Sequence, residues 1–254
     1  MEDLKSFLDR EADRFEDPDF ISTDPIRVPH AFEDRADIEI AGFFAAVFSW
    51  GQRKSIIRKS FELMALMDHA PHDFVLHHTD GDLKRVSHFV YRTFQSDDLL
   101  YFIHFLKHHF ARFSSLEDAF NPAPGHKIKD VETALTHFHR YFFSLDDAPQ
   151  RTRKHVASPE RHSACKRLNM YLRWMVRPAT KGVDFGIWES LSPAQLICPL
   201  DVHAGRVARQ LGLLGRNQNN WKAALELTQS LRSFDPEDPV KYDFALFNLG
   251  LGSF

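Results

Sequence analysis

Asp201 and Lys166 are the side chains best placed in this chain to do chemistry. Asp201 follows Pro199, which cannot sit inside a helix, so the chain is extended or turning there. A helical pattern begins at about Val202, with Val207, Leu211 and Leu214 on one face and His203, Arg206 and Gln210 on another. A carboxylate just ahead of such a pattern caps the helix. Lys166 falls in the first turn of a second pattern, where Leu168, Tyr171, Leu172, Met175 and Val176 mark one buried face. Ser163 can cap that helix, and Pro178 ends it. A lysine in a first turn opposes the helix dipole, and adjacent Arg167 adds to a field that disfavours the ammonium. A neutral lysine is a nucleophile. Each residue alone has a plainer reading. A lone aspartate before a helix is usually an ordinary cap, and a lone first-turn lysine is usually exposed, with the dipole screened.

The elements that must position these two residues read as helices throughout. Residues 1–16 have a weak apolar face in Leu4, Phe7, Leu8 and Phe15, and the prolines at 18, 25 and 29 make residues 17–35 a loop. Residues 36–50 are the most apolar stretch, too long and alanine-rich for a strand, and predict a buried helix. Ser49-Trp50-Gly51-Gln52-Arg53-Lys54-Ser55 then makes a polar turn before a helix carrying Ile56, Ile57, Phe61, Met64 and Met67. That turn is either an exposed connection or a loop that probes a nucleic-acid backbone. Asp97-Asp98 opens a helix whose His104 and His108 have a spacing compatible with a metal. No acid or cysteine accompanies them, so no metal site is expected. Later helices span Val131–Phe143, Asn220–Phe234 and Val240–Leu249. No strand pair, repeat or low-complexity segment is found. The fold class is all-α, one unit over 1–254, with approximate lobes at 36–177 and at 1–35 joined by 178–254.

Of the 254 residues, 43% are hydrophobic and 26% charged, an ordinary balance for a globular protein. No apolar run reaches the ~18 residues that cross a membrane, and the acidic N-terminus is no signal peptide. Cys165 and Cys198 are the only cysteines. A disulfide framework is not indicated, and a reducing cytoplasm is the expected location. The net charge of −3 hides an asymmetry. Residues 1–39 hold thirteen acids and five bases, whereas residues 151–181 hold nine bases and one acid, Glu160. A basic stretch of that kind suits a polyanion, nucleic acid first among them, or else pairs with the acidic N-terminus.

Three pieces in this order resemble the helix-hairpin-helix DNA glycosylase superfamily, the endonuclease III and 8-oxoguanine glycosylase relatives. Ser49, Gly51 and Gln52 are similar to its early Ser-x-Gln turn that faces DNA. Lys166 matches by context the nucleophilic lysine of its bifunctional members. Leu200-Asp201-Val202-His203 with Arg206-Val207 is similar to its Val-Asp-Thr-His motif, whose aspartate is the catalytic carboxylate. The departures are specific. Pro159-Glu160-Arg161-His162-Ser163-Ala164-Cys165 stands where the hairpin reads Leu-Pro-Gly-Val-Gly, so the backbone contact to phosphate is altered or lost. The interval from Lys166 to Asp201 carries an insertion, and no cysteine cluster for an iron–sulfur centre follows. More closely, the chain resembles an uncharacterised bacterial family in Ala41-Gly42-Phe43 through Arg53, Lys166-Arg167-Leu168-Asn169 through Arg177, and Asp238-Pro239-Val240-Lys241-Tyr242-Asp243-Phe244-Ala245.

The superfamily resemblance implies two helical lobes with a cleft between them, and base excision from damaged duplex DNA without a cofactor. Asp201 would stabilise positive charge at the sugar or deprotonate the nucleophile. Lys166 would form a Schiff base, giving AP-lyase activity. Gln52 would fill the gap left by a flipped nucleotide. Arg53, Lys54 and Arg206, with Arg167 and His203 beside the two catalytic positions, would contact the nucleic acid. Trp50, Trp174 or Trp188 could stack on a base, or belong to the core. The rivals are a nucleic-acid-binding protein that keeps the fold without chemistry, and a helical scaffold whose acidic N-terminus covers its basic stretch.

Overall fold

A computed structural model describes residues 3–251, with side chains to Gly250. The described residues are helical, and their only β pairings are the isolated bridges Tyr91–Phe94 and Ser163–Asn220. The helices are α1 (Leu4–Phe15), α2 (Arg35–Phe48), α3 (Arg53–Leu66), α4 (Pro71–His77), α5 (Asp80–Val86), α6 (Ser96–Phe110), α7 (Glu117–Phe120), α8 (Val131–Phe142), α9 (Lys166–Val176), α10 (Val202–Gln210), α11 (Trp221–Arg232) and α12 (Tyr242–Leu251). The segment expected as a loop over 17–35 instead winds into three short 3-10 turns, two of them started by Pro25 and Pro29 at their first position. None of the helices is long and apolar enough to cross a membrane.

Packing divides the chain into two compact units. One holds residues 23–126 and 134–157; the other holds residues 1–22, 127–133 and 158–254. This division places α9 in the same unit as α10 and α12.

The unit of residues 23–126 and 134–157 is built around α2. Every residue of that helix from Ala36 to Phe48 except Asp37 is buried, so it needs neighbours on all sides. Asp34 starts it, its Oδ1 accepting from the Ala36 and Asp37 amides at 2.9 and 3.3 Å. Phenylalanines supply the surrounding surface. Phe43 stacks on Phe102 at 5.5 Å between ring centroids, Phe102 meets Phe142 edge-on at 4.7 Å, and Phe120 stacks on Phe138 at 3.9 Å. Two buried acids are satisfied locally. Glu39 accepts from Ser115 Oγ at 2.6 Å and the Leu116 amide at 2.7 Å. Asp98 accepts from Thr152 Oγ1 at 2.7 Å and the Gln95 amide at 2.8 Å. His104 Nδ1 lies 2.8 Å from Asp147 Oδ2.

His109 is buried in this unit, with Nε2 2.9 Å from the Ser115 carbonyl and Nδ1 3.3 Å from the Tyr141 hydroxyl. Burial lowers its pKa from 6.5 to about 4. The folded state therefore keeps a neutral ring while the unfolded chain takes up a proton below pH 6.5. The stabilising contribution of His109 is complete above about pH 6.5 and is lost as pH falls toward 4. The stability advantage of wild type over His109→Gln is expected to narrow between pH 7 and pH 4 in urea unfolding. An advantage that stays constant across that range overturns this account.

Between α2 and α3 the chain turns at Gly51, whose φ is +116°. A side chain there would also place its Cβ 2.4 Å from Arg92 Nη1. The arginine end can move, but the backbone conformation cannot be kept cheaply by another residue. Gly51→Ala is expected to cost about 1–3 kcal/mol by urea unfolding; a cost under a few tenths would contradict the strain.

The other unit packs α1 against α12 and α10 against α12. Tyr242 donates its hydroxyl to Asp9 at 2.8 Å, and Lys241 Nζ lies 3.0 Å from the same carboxylate. Residues 127–133 form a strap on this unit: the Ile128 amide donates to the Ser190 carbonyl at 2.8 Å, and Gln195 Nε2 donates to the Ile128 and Lys129 carbonyls at 3.0 and 2.9 Å. Gly250 lets α12 approach α10 closely, since a Cβ there would stand 2.9 Å from His203 Cβ.

Candidate functional site

Asp201 caps α10 as its position foretells. Its Oδ1 accepts from the His203 and Ala204 amides, both at 2.9 Å. That occupies one carboxylate oxygen and leaves Oδ2 for another task. The backbone of Asp201 is held as well, because its carbonyl accepts from Asn219 Nδ2 at 2.8 Å and Arg209 donates to Asn219 Oδ1 at 2.6 Å.

Lys166 is the first residue of α9. The residue before it is Cys165, in the left-handed region at φ 50°, ψ 32°, which interrupts any helix arriving from upstream. Ser163 does not cap α9. Its Oγ accepts from the Cys165 amide at 3.1 Å, one residue short of the helix, while Ser163 itself pairs with Asn220. The turn is closed from the other side by Asn169, whose Nδ2 donates to the Ala164 carbonyl at 3.0 Å. Cys165 is buried, and that burial pushes its thiol up to about 12, so it is no nucleophile at neutral pH.

The two helix starts bring Lys166 Nζ to 3.9 Å from Asp201 Oδ2. Each side chain is 27% exposed, so the pair is reachable from solvent without being free in it. Met170, one turn along α9, puts its Sδ 3.8 Å from the same amine. Val202 beside Asp201 is 75% exposed, an apolar side chain at the edge of the pair.

Behind the pair lies a buried ionic network. Asp243 of α12 is bonded by Arg173 Nη1 at 2.5 Å. Burial pushes the Asp243 carboxyl up to about 6, against the pull of Arg173 and Lys166 and with a further push from Asp201. Arg173 Nε lies 3.4 Å from Asp184 Oδ1, and Arg177 Nη1 donates to Asp184 Oδ2 at 2.6 Å. Arg177 also reaches Glu16 at 2.7 Å and Asp238 at 2.8–3.0 Å. Burial disfavours the charge on Arg177, but these three carboxylates outweigh it and raise its pKa. Cys198 is wholly buried; its amide donates to Thr228 Oγ1 at 3.0 Å, and burial raises its thiol far above the ordinary range.

This network takes up part of the basic stretch. Arg173 and Arg177 are buried and matched to acids of the same unit, and Lys181 bonds Asp13. Arg151 lies 3.4 Å from Asp98, and Arg153 sits over the Phe143 ring at 4.8 Å. Two of these nine bases are thus buried in ion pairs, while Arg151, Lys154, Arg161 and Lys181 are exposed. Trp174 and Trp188 are core residues, 0% and 3% exposed, and not base-stacking platforms.

The remaining expected contacts fall as follows. Arg167 is half-buried next to Lys166, and burial lowers its pKa to about 10. His203 is exposed, and exposed Arg206 donates to the Gly250 carbonyl at 3.0 Å. Gln52 is the exposed residue before α3, without a side-chain cap bond; Arg53 is partly buried and Lys54 exposed. These three belong to the unit of α2. The residues that sequence reasoning passed over are Asp243, Arg173 and Asp184. A signal was present in the Tyr242-Asp243-Phe244-Ala245 run, where an acid at a buried helical position demands a cation. Among the described residues no three His, Cys, Asp or Glu side chains gather as metal ligands.

Neither the curated proteins nor the solved structures compared with this chain gave a match. A family model does match, over residues 24–252, under the description protein of unknown function (DUF2400), and the chain belongs to that family.

Proposed function

We propose that this protein is a DNA base-excision glycosylase in which Lys166 is the amine nucleophile and Asp201 its carboxylate partner. The observation that carries the reading is the approach of Lys166 Nζ to Asp201 Oδ2 at 3.9 Å, with the other Asp201 oxygen tied to two helix amides. The similarity of Leu200-Asp201-Val202-His203 to the helix-hairpin-helix glycosylase motif adds to it.

In this scheme the Lys166 ammonium gives a proton to Asp201 Oδ2. The amine lone pair then forms a bond to the anomeric carbon of a flipped nucleotide. The glycosidic bond breaks, its electron pair leaves with the base, and the base takes up a proton from solvent. Asp201, again ionised after releasing its proton, stabilises the positive charge on the sugar. The new nitrogen loses a proton to solvent, its lone pair opens the ring by breaking the C1′–O4′ bond, and O4′ takes up a proton, giving a Schiff base. Loss of a C2′ proton to solvent would then expel the 3′ phosphate with its bond pair and cut the strand.

A second reading, a nucleic-acid-binding protein without chemistry, is favoured by one observation. No glycine stands in residues 159–165, and the left-handed positions there are His162 and Cys165. The test is borohydride trapping on duplexes carrying single lesions. One lesion is expected to give a covalent adduct that Lys166→Ala loses. No adduct and no base release across the panel would end the glycosylase reading. Binding that persisted would support the second.

A further inference from the structure

An open groove of about 390 Å³ lies beside α3 in the unit of α2, apart from the residues placed in the chemistry above. Ser55, Arg58 and Lys59 line it from α3, and Val90, Tyr91 and Arg92 from the turn before α6. Gln52, just before α3, lines it too.

Three cations line this groove, and Glu62 is the acid that meets two of them. It takes Lys59 at 2.6 Å and lies 3.9 Å from Arg58. One carboxylate cannot neutralise both. Arg92 lies instead over the Trp50 ring, at 4.4 Å from its centroid. The lining therefore carries net positive charge.

The lining is also held in shape. Tyr91 and Phe94 exchange amide-to-carbonyl bonds at 2.9 Å in both directions. The Tyr91 hydroxyl donates to the Trp50 carbonyl at 2.9 Å. Arg92 adopts φ +54°, an uncommon conformation for an exposed non-glycine residue. The guanidinium rests on the Trp50 ring, and the left-handed backbone beneath it is of the kind that gathers at functional positions. Val90 beside it is 41% exposed, one of three large apolar side chains so exposed among the described residues.

Two guanidinium forks, a carboxamide and an exposed apolar side chain together suit a ligand with phosphates and apolar ring faces. We infer that this groove holds one strand of nucleic acid, with Arg58 and Arg92 each taking a backbone phosphate and Val90 against a sugar or base. This rests on the nucleic-acid part of the proposed function and not on the lysine chemistry.

The experiment is fluorescence anisotropy of a labelled lesion-bearing duplex at several salt concentrations. Wild type is compared with Arg58→Ala, Arg92→Ala and the double variant, with thermal unfolding to check each fold. Each single variant should lower the slope of log affinity against log salt by about 0.9, and the double variant by about twice that. The double variant should bind at least tenfold more weakly near 0.1 M salt. An unchanged slope in a folded double variant, or no binding by wild type, overturns the groove. So does loss of binding to poly-glutamate with nucleic-acid binding intact, which would mark an acidic protein as the occupant. Base release by wild type with an unchanged slope would end the groove and keep the Lys166 reading. A lowered slope without base release would do the reverse.

Discussion

Arg177→Met is expected to destabilise the protein by about 3–5 kcal/mol, the range for removing one partner of a buried ionic group. Arg177 is 4% exposed and bonds Glu16, Asp184 and Asp238 through its three nitrogens. Methionine fills a similar volume but leaves three carboxylates without their shared cation. Asp184 is itself buried, so solvent cannot take over the role. The measurement is urea unfolding at neutral pH, with Arg177→Lys beside it. Lysine restores the charge but not the fork, and should recover only part of the loss. A loss below about 1 kcal/mol for the methionine variant would mean that the network is replaceable by simple packing, as some buried ion pairs are. Because this network stands behind α9, its loss should also loosen the helix that begins at Lys166.

Asp201→Asn is expected to lower base release by roughly 10²–10⁴-fold, the usual worth of a positioned acid–base group. Its expected effect on folding is small. Asparagine caps helices about as well as aspartate, so its carbonyl oxygen can still accept from the His203 and Ala204 amides. What it cannot do is take a proton from Lys166 or carry a negative charge toward the sugar. The ion pair lost is partly exposed and 3.9 Å long, a geometry worth at most about 1 kcal/mol. The substitution thus separates the cap from the charge. Turnover near the wild-type level in a stable Asp201→Asn protein would remove the carboxylate from the mechanism. Asp201→Ala, which removes both functions, should lose stability as well, by about 0.5–2 kcal/mol for the cap. Thermal unfolding of the two variants side by side gives that difference directly.

Much of the local architecture was legible in the sequence. Asp201 before Val202 is a helix cap on composition alone, and Pro178 ends the helix that starts at Lys166 because it lacks an amide to donate. The apolar run from Ile40 to Phe48 is too long for a strand and reads as a helix buried on every side. The all-helical class followed from such periodicities, which are properties of neighbouring residues. Where reading failed locally, the competition was between near-equal partners. Ser163 was available to cap α9, yet its hydroxyl accepts from the Cys165 amide instead.

The destination of charge was decided by the tertiary structure alone. Nine bases in thirty-one consecutive residues look like a cationic face when read along the chain. Arg173 lies on the buried part of α9 and Arg177 caps its end, and their carboxylates come from Glu16, Asp184, Asp238 and Asp243. Sequence spacing carries no information about such pairings, because an ion pair depends on where helices cross. For the same reason the sequence could nominate Lys166 and Asp201 separately, each as a helix start. Only the packing of α9, α10 and α12 in one unit brings that amine and that carboxylate within reach of each other.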